Sequence, residues 1–213
     1  MRAINQGANA VLRRFFLTAL VVSLLFGVAE QASAQSVVPK YDGKNLLFPN
    51  GFRTWVFVGS NVGLAYSEEM QKLALKAAKQ ADKPLFHNIY VNPESYARFR
   101  DTNEFPDPTI FVMDMFASAT SEPQHVVTKG SYDGDWMGNL VAVKNSARPP
   151  GPDGDMTIWA YYVFKSDPAH PTQPVASAAA ETKSMCNDCH KSHGLKDNVW
   201  VQFYPTLRDL LKR

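Results

Sequence analysis

The chain is short of the features that mark several common protein classes. Two cysteines among 213 residues allow at most one disulfide, which excludes the multiply bridged exported scaffolds. There is no tract of basic residues, and a near-neutral chain offers no footing to nucleic acid or to an acidic membrane surface. No apolar run reaches the roughly 20 residues that cross a bilayer. The longest, Phe15 to Val28, stops short of that and gives way to Gln and Ser. No internal repeat is visible.

What the N-terminus does hold is Arg2, Arg13 and Arg14 ahead of that run, then the small-residue triplet Ala32-Ser33-Ala34. This is the pattern of a secretory signal peptide cleaved after Ala34, so we expect export to the periplasm and a single mature domain over residues 35–213. The segment takes three basic residues from a total of 22 and one acidic residue from 20, leaving 19 of each sign. The roughly 180 residues that remain suit one domain with a sizeable core.

Strands are expected over Thr54–Val58, closing at Gly59, and over Leu85–Val91, Thr109–Phe116, Trp136–Lys144 and Thr157–Lys165. Helical spacing of Met70, Leu73, Ala74 and Ala77 predicts an amphipathic helix from Ser67 to about Gln80, and Asn92-Pro93 opens a short one to about Asp101. Alternation along Thr109–Phe116 puts Phe111, Met113 and Met115 on one face and Ile110, Val112, Asp114 and Phe116 on the other. Pro168, Pro171 and Pro174 predict a stiff connector into an Ala-rich helix, and a last helix is expected over Thr206–Lys212. Strands first and helices last give an α+β fold: a predominantly antiparallel sheet, flanking helices, and a C-terminal helix bearing both cysteines.

Those cysteines stand in Cys186-Asn187-Asp188-Cys189-His190, the attachment signature of c-type haem. Two thiols at this spacing add to the porphyrin vinyl groups while the adjacent imidazole reaches the iron. One covalent haem c per chain is therefore expected, held by Cys186, Cys189 and His190, with His190 ligating the metal. Tetrahedral zinc needs four protein ligands, and only His190, His193 and distant imidazoles are available to join the cysteines. His193 lies on the same helix as His190, cannot reach the other haem face, and is expected at the surface. Arg13-Arg14-Phe15-Phe16-Leu17 is similar to a twin-arginine export signal, but that route carries folded proteins. Haem c is joined to an unfolded chain after export, so the two arginines read as an ordinary basic region.

No methionine follows His190, so a sixth ligand from the protein must come from the upstream strands.

Several strings now make the chain resemble the family of cytochrome P-460 and cytochrome c′-beta. They are Arg53-Thr54-Trp55-Val56-Phe57-Val58-Gly59, Tyr90-Val91-Asn92-Pro93-Glu94-Ser95-Tyr96-Ala97, Glu104-Phe105-Pro106-Asp107, Trp159-Ala160-Tyr161, Cys186 to His190, and Gln202-Phe203-Tyr204-Pro205-Thr206-Leu207-Arg208. The resemblance implies an antiparallel sheet with helices, a haem whose distal side faces strand side chains, and commonly a homodimer. The P-460 type oxidises hydroxylamine with a Lys cross-linked to the porphyrin rim and a proton-handling carboxylate. Six residues after Asp107, where the resemblance places the Lys, stands Met113; where it places the carboxylate stands Leu140.

Two roles fit Met113: a thioether ligand on the distal side of the iron, or a packing residue in an apolar pocket. Met115 is its nearest competitor, and Phe111 and Phe116 are candidates for the aromatic cap of the c′-beta type. Ligation by Met113 favours electron transfer with a redox partner protein; a vacant site favours a small gas such as nitric oxide. The rival is a hydroxylamine-oxidising enzyme, against which the missing Lys speaks.

Overall fold

Five strands carry much of the apolar sequence, and their alternation sends side chains to two separate cores. The computed structural model describes residues 36–64, 83–120, 126 and 128–211. The expected signal peptide (1–34) and the helix expected over 67–80 lie outside the described residues. The main sheet runs in the order β3 (Val56–Val62), β4 (Leu85–Val91), β5 (Thr109–Ala119), β6 (Tyr132–Lys144), β7 (Trp159–Phe164), antiparallel throughout. A small sheet joins β1 (Tyr41–Asp42), β2 (Asn45–Leu47) and β10 (Ser177–Ala178), and β8 (Ser166–Asp167) pairs with β9 (His170–Pro174). Among the described residues the helices are α1 (Pro93–Thr102), α2 (Asn187–His193) and α3 (Pro205–Arg208). This is the expected α+β architecture, with the cysteine motif entering a C-terminal helix.

Local departures have local causes. Residues Phe52–Thr54 form a 3-10 turn, so the first long strand starts at Val56 and runs through Gly59 instead of ending there. Gly59 is a packing residue: a Cβ there would lie 2.9 Å from Pro205 Cδ and 3.3 Å from Tyr204 Cα, so only glycine lets the C-terminal segment settle on β3. The Ala-rich stretch is extended, not helical. Ser177 and Ala178 pair with Leu47 and Leu46, and Ala180 bridges to Tyr162 on the outer edge of β7. Alanine's helical preference is worth a few tenths of a kcal/mol per residue at about this length, less than the backbone partners those edges supply. The proline connector is the β8–β9 hairpin, a two-stranded pair in which a missing N–H is tolerated. The last helix is a single turn ending at Arg208.

Phe111 joins Val58, Ile89, Val91, Phe99, Phe105, Trp159 and Leu207 in a core beneath α1 and the C-terminal segment, with Met113 packed against it. Ile110 and Val112, one residue out of phase, enter the other core with Leu46, Phe52, Val141, Val143 and Phe164. Phe99, completely buried, stacks on Phe105 at 4.2 Å, and burying such a ring stabilises the fold by about 2–3 kcal/mol. Asp114, on the second face, is buried with three donors: Arg53 Nε at 2.8 Å, Trp136 Nε1 at 3.0 Å and Asn139 Nδ2 at 2.8 Å. Pairing of this kind is what allows a carboxylate into a core.

Candidate haem site

Where the first face meets the C-terminal segment lies a cavity with about 930 Å³ of atom-free space, part of it open to solvent. Strands supply Ile89, Phe111, Met113, Leu140 and Tyr161; the C-terminal segment supplies Met185, Cys186, Cys189, His190 and Trp200. Among the described lining residues there is no Lys, Arg, Asp or Glu.

The Cys-His motif is fixed from its first helical residue. Asn187 is buried and donates to Thr157 Oγ1 at 2.5 Å and to the Trp159 carbonyl at 3.4 Å, tying the start of α2 to β7. The His190 ring is held between two aromatics, Tyr161 at 4.4 Å and Trp200 at 4.9 Å, the latter nearly parallel at 19°. Its Nδ1 lies 3.1 Å from the Asn198 carbonyl. A carbonyl only accepts, so Nδ1 carries the proton and Nε2 is left with a free lone pair. Burial, partly offset by that carbonyl, holds the imidazole below its usual pKa and therefore neutral at neutral pH.

Cys186 and Cys189 are both half-buried free thiols. Burial first, then the charges of Glu181 and Cys189, push the Cys186 thiol up to about 12. Among the described residues no group of three or more His, Cys, Asp and Glu gathers to hold a metal ion unaided. Tyr161 Oη is buried and has no hydrogen-bond partner among the described residues.

Met113 and Leu140 both line the cavity, as does Phe111. Met115 shares the strand face but sits one rung further on, between His87 and Gly138, outside the lining. Phe116 takes the opposite face, paired with Phe86 and Trp136. His193 is exposed, as expected.

A family model, Cytochrome P460, matches residues 49–201, which include nearly all of this lining and the whole Cys-His motif. The chain belongs to the cytochrome P460 family. Its members are haem-binding cytochromes, and the site fits the group in its chemistry: two unlinked thiols, a neutral imidazole with a free nitrogen, and otherwise largely apolar walls. No curated protein matches the chain.

Residue patterns gave no role to Tyr161, Trp200, Asn198 or Met185. The first belongs to the Trp159-Ala160-Tyr161 string on which the family resemblance rests, and Asp197-Asn198 is a dipeptide of turn-forming residues. Nothing local marks Trp200 as the partner of an imidazole ten residues earlier.

Proposed function

We propose that the chain is an exported, single-haem c-type cytochrome that carries electrons or reversibly binds a small uncharged gas such as nitric oxide. Cys186 and Cys189 hold the haem by thioether bonds, His190 is the proximal ligand, and Met113 is the distal one. Haem supplies a redox-active iron with an exchangeable coordination position. The chain's own residues orient it: Tyr161 and Trp200 fix the imidazole plane, and Asn198 fixes its tautomer.

The observation that carries this reading is a cavity that holds a thioether and an imidazole in its lining with no charged side chain among the described residues. Such a wall favours a soft neutral ligand and uncharged diatomic guests, and penalises anions. The signal-peptide pattern supports a periplasmic location, and the family resemblance supports a homodimer working with a redox partner protein. Hydroxylamine oxidation is the second reading, favoured by family membership. Met113 and Leu140, where the P-460 type has its Lys and carboxylate, weigh against it.

The absorption spectrum of the reduced protein tests the assignment. A six-coordinate low-spin ferrous spectrum is expected. A high-spin spectrum, with carbon monoxide binding that needs no ligand release, leaves Met113 as packing and selects gas binding.

A further inference from the structure

Lys144 and Trp159 face each other on β6 and β7, and both reach the same carboxylate. Lys144 Nζ donates to Asp197 Oδ2 at 2.6 Å and to the Phe105 carbonyl at 2.8 Å, while Trp159 Nε1 donates to Asp197 Oδ1 at 3.3 Å. Lys144 and Asp197 are 15% and 28% exposed, so solvent screens this pair only in part.

Asp197 begins an unusual turn. Asp197 and Asn198 both have positive φ, 49° and 60°, between Lys196 and Val199, whose backbones bond to each other in both directions at 3.3 and 2.8 Å. Two positive φ values in a two-residue loop are the signature of a type I′ turn, in which Asn, Asp and Gly are tolerated. The second residue of the turn is Asn198, whose carbonyl meets His190 Nδ1. Gly194 gives the turn room: a Cβ there would lie 2.5 Å from the Asn198 carbonyl carbon and 2.7 Å from the His190 oxygen.

We propose that Lys144, Trp159 and Asp197 form a clamp that presses the Asn198 carbonyl onto His190 and thereby sets the donor strength of that imidazole toward the haem iron. Asp197 is a positioning residue: it lies outside the cavity lining and acts through its neighbour's backbone. The inference rests on the assignment of His190 as an iron ligand. A hydrogen bond accepted from Nδ1 makes the imidazole more basic and stabilises ferric over ferrous iron. The clamp therefore lowers the reduction potential, and the ion pair and the indole act on the potential through one shared path.

The test is the midpoint potential of the holoprotein in Lys144→Met, Asp197→Gly, the double variant and Asn198→Gly. Glycine at 197 or 198 keeps the left-handed turn without strain. Lys144→Met and Asp197→Gly should each raise the potential. The double variant should go no higher than the larger single, and Asn198→Gly, which keeps the carbonyl, should stay at the wild-type value. An unchanged potential in Lys144→Met and Asp197→Gly, with the spectrum intact, overturns the clamp. Should those variants lose haem, proton NMR of the wild-type ferric protein decides: the Nδ1 proton of His190 should exchange slowly in deuterated water, and rapid exchange overturns the clamp. Absence of any paramagnetically shifted imidazole signal would instead sink the ligand assignment, so the two failures are distinct.

Discussion

Met113 stands directly opposite Leu140 across β5 and β6, and both side chains line the cavity. The two positions where the family resemblance expects a lysine and a carboxylate are therefore neighbours on one rung of the sheet. Replacing both by Met and Leu leaves nothing unpaired.

From this rung comes the first expectation. Met113→Ala removes the thioether without adding a charge, so the ferrous spectrum should pass from six-coordinate low-spin to five-coordinate high-spin. Carbon monoxide should then bind at least about tenfold faster, the equivalent of about 1.4 kcal/mol off the ligand-release barrier. Stopped-flow mixing reads both. Equal rates in the variant and the wild type would make Met113 a packing residue.

The free thiols at the cavity give a second. Intact-mass measurement should find the mature chain plus one haem, without the further hydrogen loss of a bond to the porphyrin rim. Cys186→Ser with Cys189→Ser should yield a band on a denaturing gel that no longer stains for haem. A third covalent bond in the wild-type mass would reopen the hydroxylamine reading.

Acid stability supplies a third. His87 is buried, and burial lowers its pKa from 6.5 to about 4. The unfolded chain takes up this proton near 6.5 and the folded one only near 4, so protonation between those values favours unfolding. The stability is complete above about pH 6.5 and drains away as the pH falls toward 4, by up to about 3 kcal/mol. His87→Leu should flatten this limb of a denaturant-midpoint profile taken between pH 7 and 4.5. A slope as steep in the variant as in the wild type would assign the acid sensitivity elsewhere.

Asp114 gives the fourth, on the face of β5 turned from the cavity. Asp114→Ala leaves the indole of Trp136 and the amide of Asn139 without their acceptor, which should cost about 3 kcal/mol in urea unfolding. The haem spectrum should not change. A spectral change without a loss of stability would mean that the two faces of the sheet are coupled in a way their separate cores do not suggest.

The parts of this molecule legible in its sequence are those governed by short-range rules. The strand expected over Leu85–Val91 has those bounds, and period-two alternation divided β5 correctly, with Phe111 and Met113 to the cavity and Ile110 and Val112 away. Asn92-Pro93 marked the start of α1, where proline's fixed φ suits the first turn. The Cys-His motif carries its chemistry in its spacing. What escaped depends on partners distant in sequence: the Ala-rich strand is extended because β2 and β7 offer it free backbone, and the stacking of Trp200 on His190 exists only once the 196–199 turn folds back. Lys144, Trp159 and Asp197 meet only through the register of two strands and one loop.

The β1–β2–β10 sheet ties Leu46, near the start of the described chain, to Ala178, shortly before the cysteines. A polypeptide made from its N-terminus cannot close that pairing until most of its length has been delivered, and long-range closures of this kind come late. In the folded chain burial keeps the Cys186 thiol protonated and a poor nucleophile. Chemistry at the Cys186 sulfur therefore belongs to the chain before that side chain is buried, and the late closures of this topology lengthen the interval in which the chain is still unfolded.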